Sequence, residues 1–202
     1  MTDASLEQIA RARLGRVATG VPFGAAVLLL AVSAAAQDGP PRTANNVVYA
    51  ELLGPAPPYS IDYERVWQST SARLGFSYFA TSEATYVAFP ITISYLGIGS
   101  LKNMLELGFG GTIIYMGGVV SDLGNTTCGD LGGCLGSFAL APVGNVADQK
   151  GRPGFTGLGT VIVGYRFQPP GGGFFLKAGI SPLLTGNQLW FPWPYVGLGA
   201  TF

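Results

Sequence analysis

Seven charged side chains stand within otherwise apolar or small-residue runs: the acids Glu51, Asp62, Glu64 and Glu106 and the bases Arg73, Arg166 and Lys177. Such a set could serve acid–base catalysis, line an ion path, or neutralise itself in a closed interior, where an unpaired ion costs several kcal/mol. The chain has no histidine. A serine nucleophile would therefore need lysine or a carboxylate as its base, and no Ser and Lys spacing here suggests that pairing. Mutual neutralisation, sealing and specifying an interior, is the preferred reading over catalysis or conduction. Cys128 and Cys134 in "CGDLGGC" do not make a zinc site without further ligands. No metal and no cofactor is expected.

The elements that must carry these charges follow from period-two alternation. After residue 45 the chain repeats runs rich in Val, Ile, Tyr, Phe and Thr, bounded by Gly, Pro, Ser or Asn, near 46–54, 58–67, 71–81, 84–96, 101–116, 154–168, 173–184 and 193–202. Eight runs of about ten residues predict an all-β, eight-stranded antiparallel up-and-down transmembrane β-barrel, since a tilted strand of 9–11 residues crosses a bilayer. Links "QST", "GIGS" and "QPPG" are short and fall on one side, whereas the long link at 117–153 and "GNQLWFPWP" fall on the other.

Alternation alone also fits a soluble lipocalin-like barrel, so the polar face decides. Tyr59, Ile61 and Tyr63 oppose Ser60, Asp62 and Glu64; Leu74, Phe76 and Tyr78 oppose Arg73, Gly75 and Ser77; Leu105, Leu107 and Phe109 oppose Met104, Glu106 and Gly108. Only 11% of residues are charged, against roughly 25–35% on soluble surfaces. A lumen just wide enough for side chains accounts for that scarcity. The pairs Gly108/Gly110, Gly157/Gly159 and Gly197/Gly199 complete no phosphate-loop motif and are expected on the lumen side, making space for larger neighbours. Pro90, inside the fourth run, predicts a bulge or a strand starting at Ile91.

The N-terminus reads as an address. Arg11, Arg13 and Arg16 precede "VPFGAAVLLLAVSAAAQ", a short apolar stretch ending in small residues. Residues 1–36 are expected to be a cleaved signal peptide, 37–45 a short periplasmic segment and 46–202 the barrel. Export makes a Cys128–Cys134 disulfide the natural reading. Removing two of 11 acids and three of 11 bases leaves nine against eight, which argues against a nucleic-acid partner.

Together, the signal peptide, eight runs, long outer loop and final strand ending in Phe202 resemble small bacterial outer-membrane barrels of the OmpA and OmpX type. "NNVVYAELLGPAPPYSIDYER" also resembles the first hairpin of uncharacterised barrel families. The resemblance implies an outer-membrane location, contact with outer-membrane lipid and lipopolysaccharide, and Phe202 as an assembly signal read by the barrel-assembly machinery. Trp67, Trp190 and Trp193 are expected in membrane-interface girdles. The leading functional reading is a non-enzymatic barrel with a structural or surface-interaction role and an extracellular ligand at 117–153. Alternatives are a lipid-modifying enzyme, such as a lipid A or phospholipid acyl hydrolase or transferase, a narrow channel, or a soluble binding barrel.

Overall fold

The computed structural model of the protein describes residues 42–80, 84–118, 154–185 and 188–202. Residues rich in β-branched and aromatic side chains alternate with small or polar ones, and this pattern yields strands β1 (Asn46–Leu53), β2 (Tyr59–Trp67), β3 (Thr70–Ala80), β4 (Ala84–Gly99), β5 (Asn103–Gly118), β6 (Gly154–Phe167), β7 (Gly173–Ile180), β8 (Leu183–Thr185), β9 (Gln188–Trp190) and β10 (Pro194–Thr201). Consecutive strands from β1 to β7 pair antiparallel. β7 then pairs with β10, and β10 returns to β1, closing the sheet. One circuit of the ladders returns to β1 displaced by about ten residues, a stagger that obliges the strands of a closed barrel to tilt.

Among the described residues ten strands make eight staves, because β7 and β8 share one position in the wall and their partners β10 and β9 share the next. Val163 pairs with Ile180 and Gly159 with Leu184, so the register against β6 is unbroken across Ser181 and Pro182. The seventh predicted run is thus one stave interrupted at a proline that has no N–H to donate. There the Ser181 N–H turns to Trp193 O at 2.6 Å. β9 adds a short hairpin on β8.

Pro90 is accommodated differently from the expectation. It stays within β4, opposite Thr112 of β5, and the β3–β4 register is the same at Leu74↔Ile91 and Ser77↔Ala88. No bulge forms there. The ladder has a gap at Gly75 and Phe76, and Gly75 lets the ring fit: a Cβ on it would lie 2.8 Å from Pro90 Cγ and would overlap Asp62 Oδ1. The bulge lies instead between Tyr95 and Ile98.

Burial follows the alternation in the opposite sense to a soluble protein. Ile61, Leu74, Phe76, Ile93, Ile113 and Leu198 are exposed on the outside, with Leu74 at 55%, while all seven charged residues singled out from the sequence are at most 3% exposed. Gly108, Gly110, Gly197 and Gly199 share the inward parity of their strands, but Gly157 and Gly159 do not. In β6 the buried positions are Leu158, Thr160 and Ile162, so these two glycines face outward, contrary to the sequence expectation.

Candidate functional site in the barrel lumen

The charges arrive from six staves at inward positions: Glu51 from β1, Asp62 and Glu64 from β2, Arg73 from β3, Glu106 from β5, Arg166 from β6 and Lys177 from β7. They form one continuous chain of opposite charges. Arg73 donates from Nε to Asp62 Oδ1 at 2.8 Å, from Nη1 to Glu51 Oε2 at 3.1 Å and from Nη2 to Glu51 Oε1 at 2.8 Å. This is the two-pronged fork that a guanidinium presents to a carboxylate. Lys177 Nζ lies 3.1 Å from Glu51 Oε2 and 3.7 Å from Glu106 Oε1. Arg166 Nη1 lies 3.5 Å from Glu106 Oε2 and donates to Glu64 Oε1 at 2.5 Å.

Hydroxyls and rings complete the shell. Ser60 donates to Asp62 at 2.7 Å, Ser94 to Glu106 at 2.9 Å and Tyr49 to Glu64 at 3.3 Å. Lys177 Nζ sits 4.8 Å from the Tyr49 ring centre and 5.2 Å from that of Tyr195, and Arg166 lies 4.8 Å from the Phe175 ring. Cation–π contact of this kind gains strength where water is scarce. Gly197 makes the approach feasible, because a Cβ there would lie 3.1 Å from Lys177 Cγ and 3.2 Å from Tyr49 Cδ2.

Four carboxylates face three cations in this chain, and a further cation, outside the set singled out from the sequence, stands at one mouth. Arg42, just ahead of β1, donates to Leu101 O at 2.9 Å. Its guanidinium is pushed down to about 10, chiefly by burial and then by the charge of Arg166, while Glu64 acts in the opposite sense. The neighbouring segment crosses the same mouth: Thr43 and Ala44 both donate to Pro170 O at 3.0 Å, and Ala44 is buried. Gln168 accepts from Arg166 Nε at 2.9 Å and donates to Thr201 at 3.1 Å. Residues 42–45 therefore pack against the turns at this end of the barrel.

Apolar layers flank the ions. Val47, Tyr49, Val66, Leu96, Met104 and Phe175 cluster toward the end that holds the β1 start. Toward the far mouth Tyr86, Ala88, Ile114, Met116, Leu158, Leu183 and Trp193 surround Ala56. The β1–β2 connection is folded inward, with Gly54–Pro57 buried. Trp193 Nε1 donates to Gly54 O at 2.9 Å, and Thr112 Oγ1 to Pro55 O at 2.6 Å.

The expected interface role of Trp193 is thereby corrected. It is 2% exposed and points into the barrel, because it shares the parity of Tyr195, Gly197 and Gly199 on β10. Trp190 is half-buried against the same cluster, and Trp67 is exposed at the end of β2. Phe202 is exposed and its backbone exchanges two bonds with Asn46, at 2.8 and 2.9 Å. Cys128, Cys134, residues 1–36 and residues 119–153 of the predicted long loop lie outside the described residues; Gly117 and Gly118 belong to β5. Among the described residues, no group of three or more acids, cysteines or histidines is placed to hold a metal ion.

Closed ladder, ionic centre and oily exterior together decide the architecture. The chain is an eight-stranded antiparallel β-barrel. No protein-family model and no curated protein matches it. Among solved structures it is similar to Ail, the attachment invasion locus protein of Yersinia pestis, at 12% identity over 78% of this chain and 95% of that one, with a TM-score of 0.37. The architecture rests on the closed ladder of this chain.

Proposed function

We propose that the protein is an integral outer-membrane barrel, exported by its N-terminal signal, with a sealed lumen and a non-enzymatic role in envelope structure or surface interaction. One observation carries the reading: charged side chains are buried at the centre while Ile61, Leu74, Phe76, Ile93 and Leu198 cover the outside. A soluble monomer rarely exposes apolar patches beyond a few hundred Å². Hydrocarbon is the solvent that favours this inversion, and a closed barrel satisfies the backbone groups there.

The inward-folded Gly54–Pro57 segment above the ions and residues 42–45 below support closure at both mouths. Outer-membrane phospholipid and lipopolysaccharide would surround the wall. The barrel-assembly machinery would read the last strand with Phe202, and residues 117–153 would meet an extracellular ligand. The test joins membrane fractionation with gel mobility of unheated and boiled samples. Cofractionation with the outer membrane and a heat-dependent shift are expected. A protein found in the soluble fraction without a shift overturns the membrane reading, and discrete single-channel openings in planar bilayers overturn the sealed lumen.

A further inference from the structure

The outer wall has a defect where β4 slips against β5. The bulge between Tyr95 and Ile98 brings consecutive residues to the outer face: Gly97 lies beneath the Tyr95 ring, and Ile98 is exposed opposite Leu105. Gly99 then turns with φ of 115°, and a Cβ on it would lie 2.5 Å from Asn103 O. The chain cannot fill the notch there with a side chain. The result is a cleft of about 250 Å³ lined by Ile98, Gly99, Asn103, Met104, Leu105 and Tyr165.

Chemistry changes along the cleft. Ile98 and Leu105 offer hydrocarbon, whereas Tyr165 donates to Asn103 Oδ1 at 2.6 Å and so presents a polar rim. Beyond that rim, the turn between β4 and β5 carries exposed Lys102, whose Nζ lies 5.0 Å from the Phe167 ring centre. Trp67, the last residue of β2 at this same end, is exposed as aromatic residues are at a headgroup zone. An oily slot with an exposed lysine one residue along the chain from its lining residue Asn103 matches one amphiphile.

We propose that this cleft binds a glycerophospholipid of the inner leaflet, one acyl chain lying against Ile98 and Leu105 and the phosphate meeting Lys102. The assignment rests on the membrane reading above. Lys102 supplies the charge complement to a phosphate, and the bulge between Tyr95 and Ile98 places the cleft on the oily wall.

Native mass spectrometry of the barrel released from micelles containing phosphatidylglycerol tests it, alongside Lys102→Glu, Leu105→Trp and the control Phe109→Trp higher on β5. One retained phospholipid is expected for the parent and the control, with loss of that adduct in Lys102→Glu and Leu105→Trp. Gel mobility of the same samples keeps the outcomes apart. A folded, heat-shifting parent that retains no lipid, or variants that retain it equally, overturns the cleft alone. Absence of the heat shift in the parent overturns the membrane reading and the cleft with it.

Discussion

Replacing Arg73 with methionine removes the cation that joins two buried carboxylates, and its cost can be worked from the partners left behind. Glu51 keeps Lys177 at 3.1 Å, but among the described residues Asp62 keeps only the Ser60 hydroxyl at 2.7 Å. Methionine replaces most of the lost volume, so the cavity contribution is small. What remains is one uncompensated carboxylate in a side chain fully withdrawn from solvent, and breaking such a pair costs about 3–5 kcal/mol. Adding Asp62→Asn removes the stranded charge and should restore all but about 1–2 kcal/mol of the loss, the remainder reflecting lost hydrogen bonds. Urea unfolding of the micelle-folded barrel, followed by tryptophan fluorescence and by the fraction with folded gel mobility, measures both steps. A penalty below about 1 kcal/mol for Arg73→Met, the size seen for solvent-exposed pairs, would mean that water bathes this layer and that the reasoning fails.

Five further substitutions probe other layers. Trp193→Ala should cost about 3–5 kcal/mol in the same unfolding assay, as truncation of a buried aromatic does, and Trp67→Ala no more than about 0.5 kcal/mol; brominated acyl chains should quench Trp67 and leave Trp193 bright. Gly110→Ala should destabilise by about 1–3 kcal/mol, because its Cβ would overlap Ile91 O and lie 2.7 Å from Thr92 Cα, both backbone atoms. Gly157→Ala, whose Cβ would meet nothing nearer than Thr112 O at 3.7 Å, should stay within about 0.5 kcal/mol of the parent. Thr92→Val should raise stability by about 1 kcal/mol, since the Thr92 hydroxyl is buried without a hydrogen-bond partner among the described residues; a lowered midpoint would contradict a dry lumen.

Alternation made the sidedness of the wall legible wherever one face is uniformly oily. Phe76 against Arg73 and Leu105 against Glu106 leave no choice of parity, and their placement fixes where the ions can meet. The same rule fails in β6, where Gly157, Gly159, Val161 and Val163 face out and Leu158, Thr160 and Ile162 face in. Both faces there are small or apolar, so periodicity does not choose between them.

Trp193 was misplaced for a different reason: "WFPWP" looks like a loop, and only by extending the parity of Tyr195 and Gly197 backward does the ring turn inward. "GPAPP" gives no sign in sequence that Gly54–Pro57 fold into the mouth, because the contacts that hold them come from Thr112 and Trp193, 57 and 139 residues away. Arg42 precedes the first run, and the carbonyl it meets, Leu101 O, is 59 residues away and reaches it only when the barrel closes. Pro90 shows the limit of local rules. Its missing donor was predicted to bend the strand, yet a glycine on the neighbouring strand absorbs it with a gap and no change of register.

The most direct test of the central claim is a map of which methyl groups touch acyl chains, obtained by nuclear Overhauser contacts between lipid methylenes and isoleucine methyls in nanodiscs. Ile61, Ile91, Ile93 and Ile113 should show strong lipid contacts, and the inward Ile114 and Ile162 should show none. Lipid contacts at Ile114 and Ile162, or bulk-water contacts in place of lipid at Ile61 and Ile93, would contradict the account.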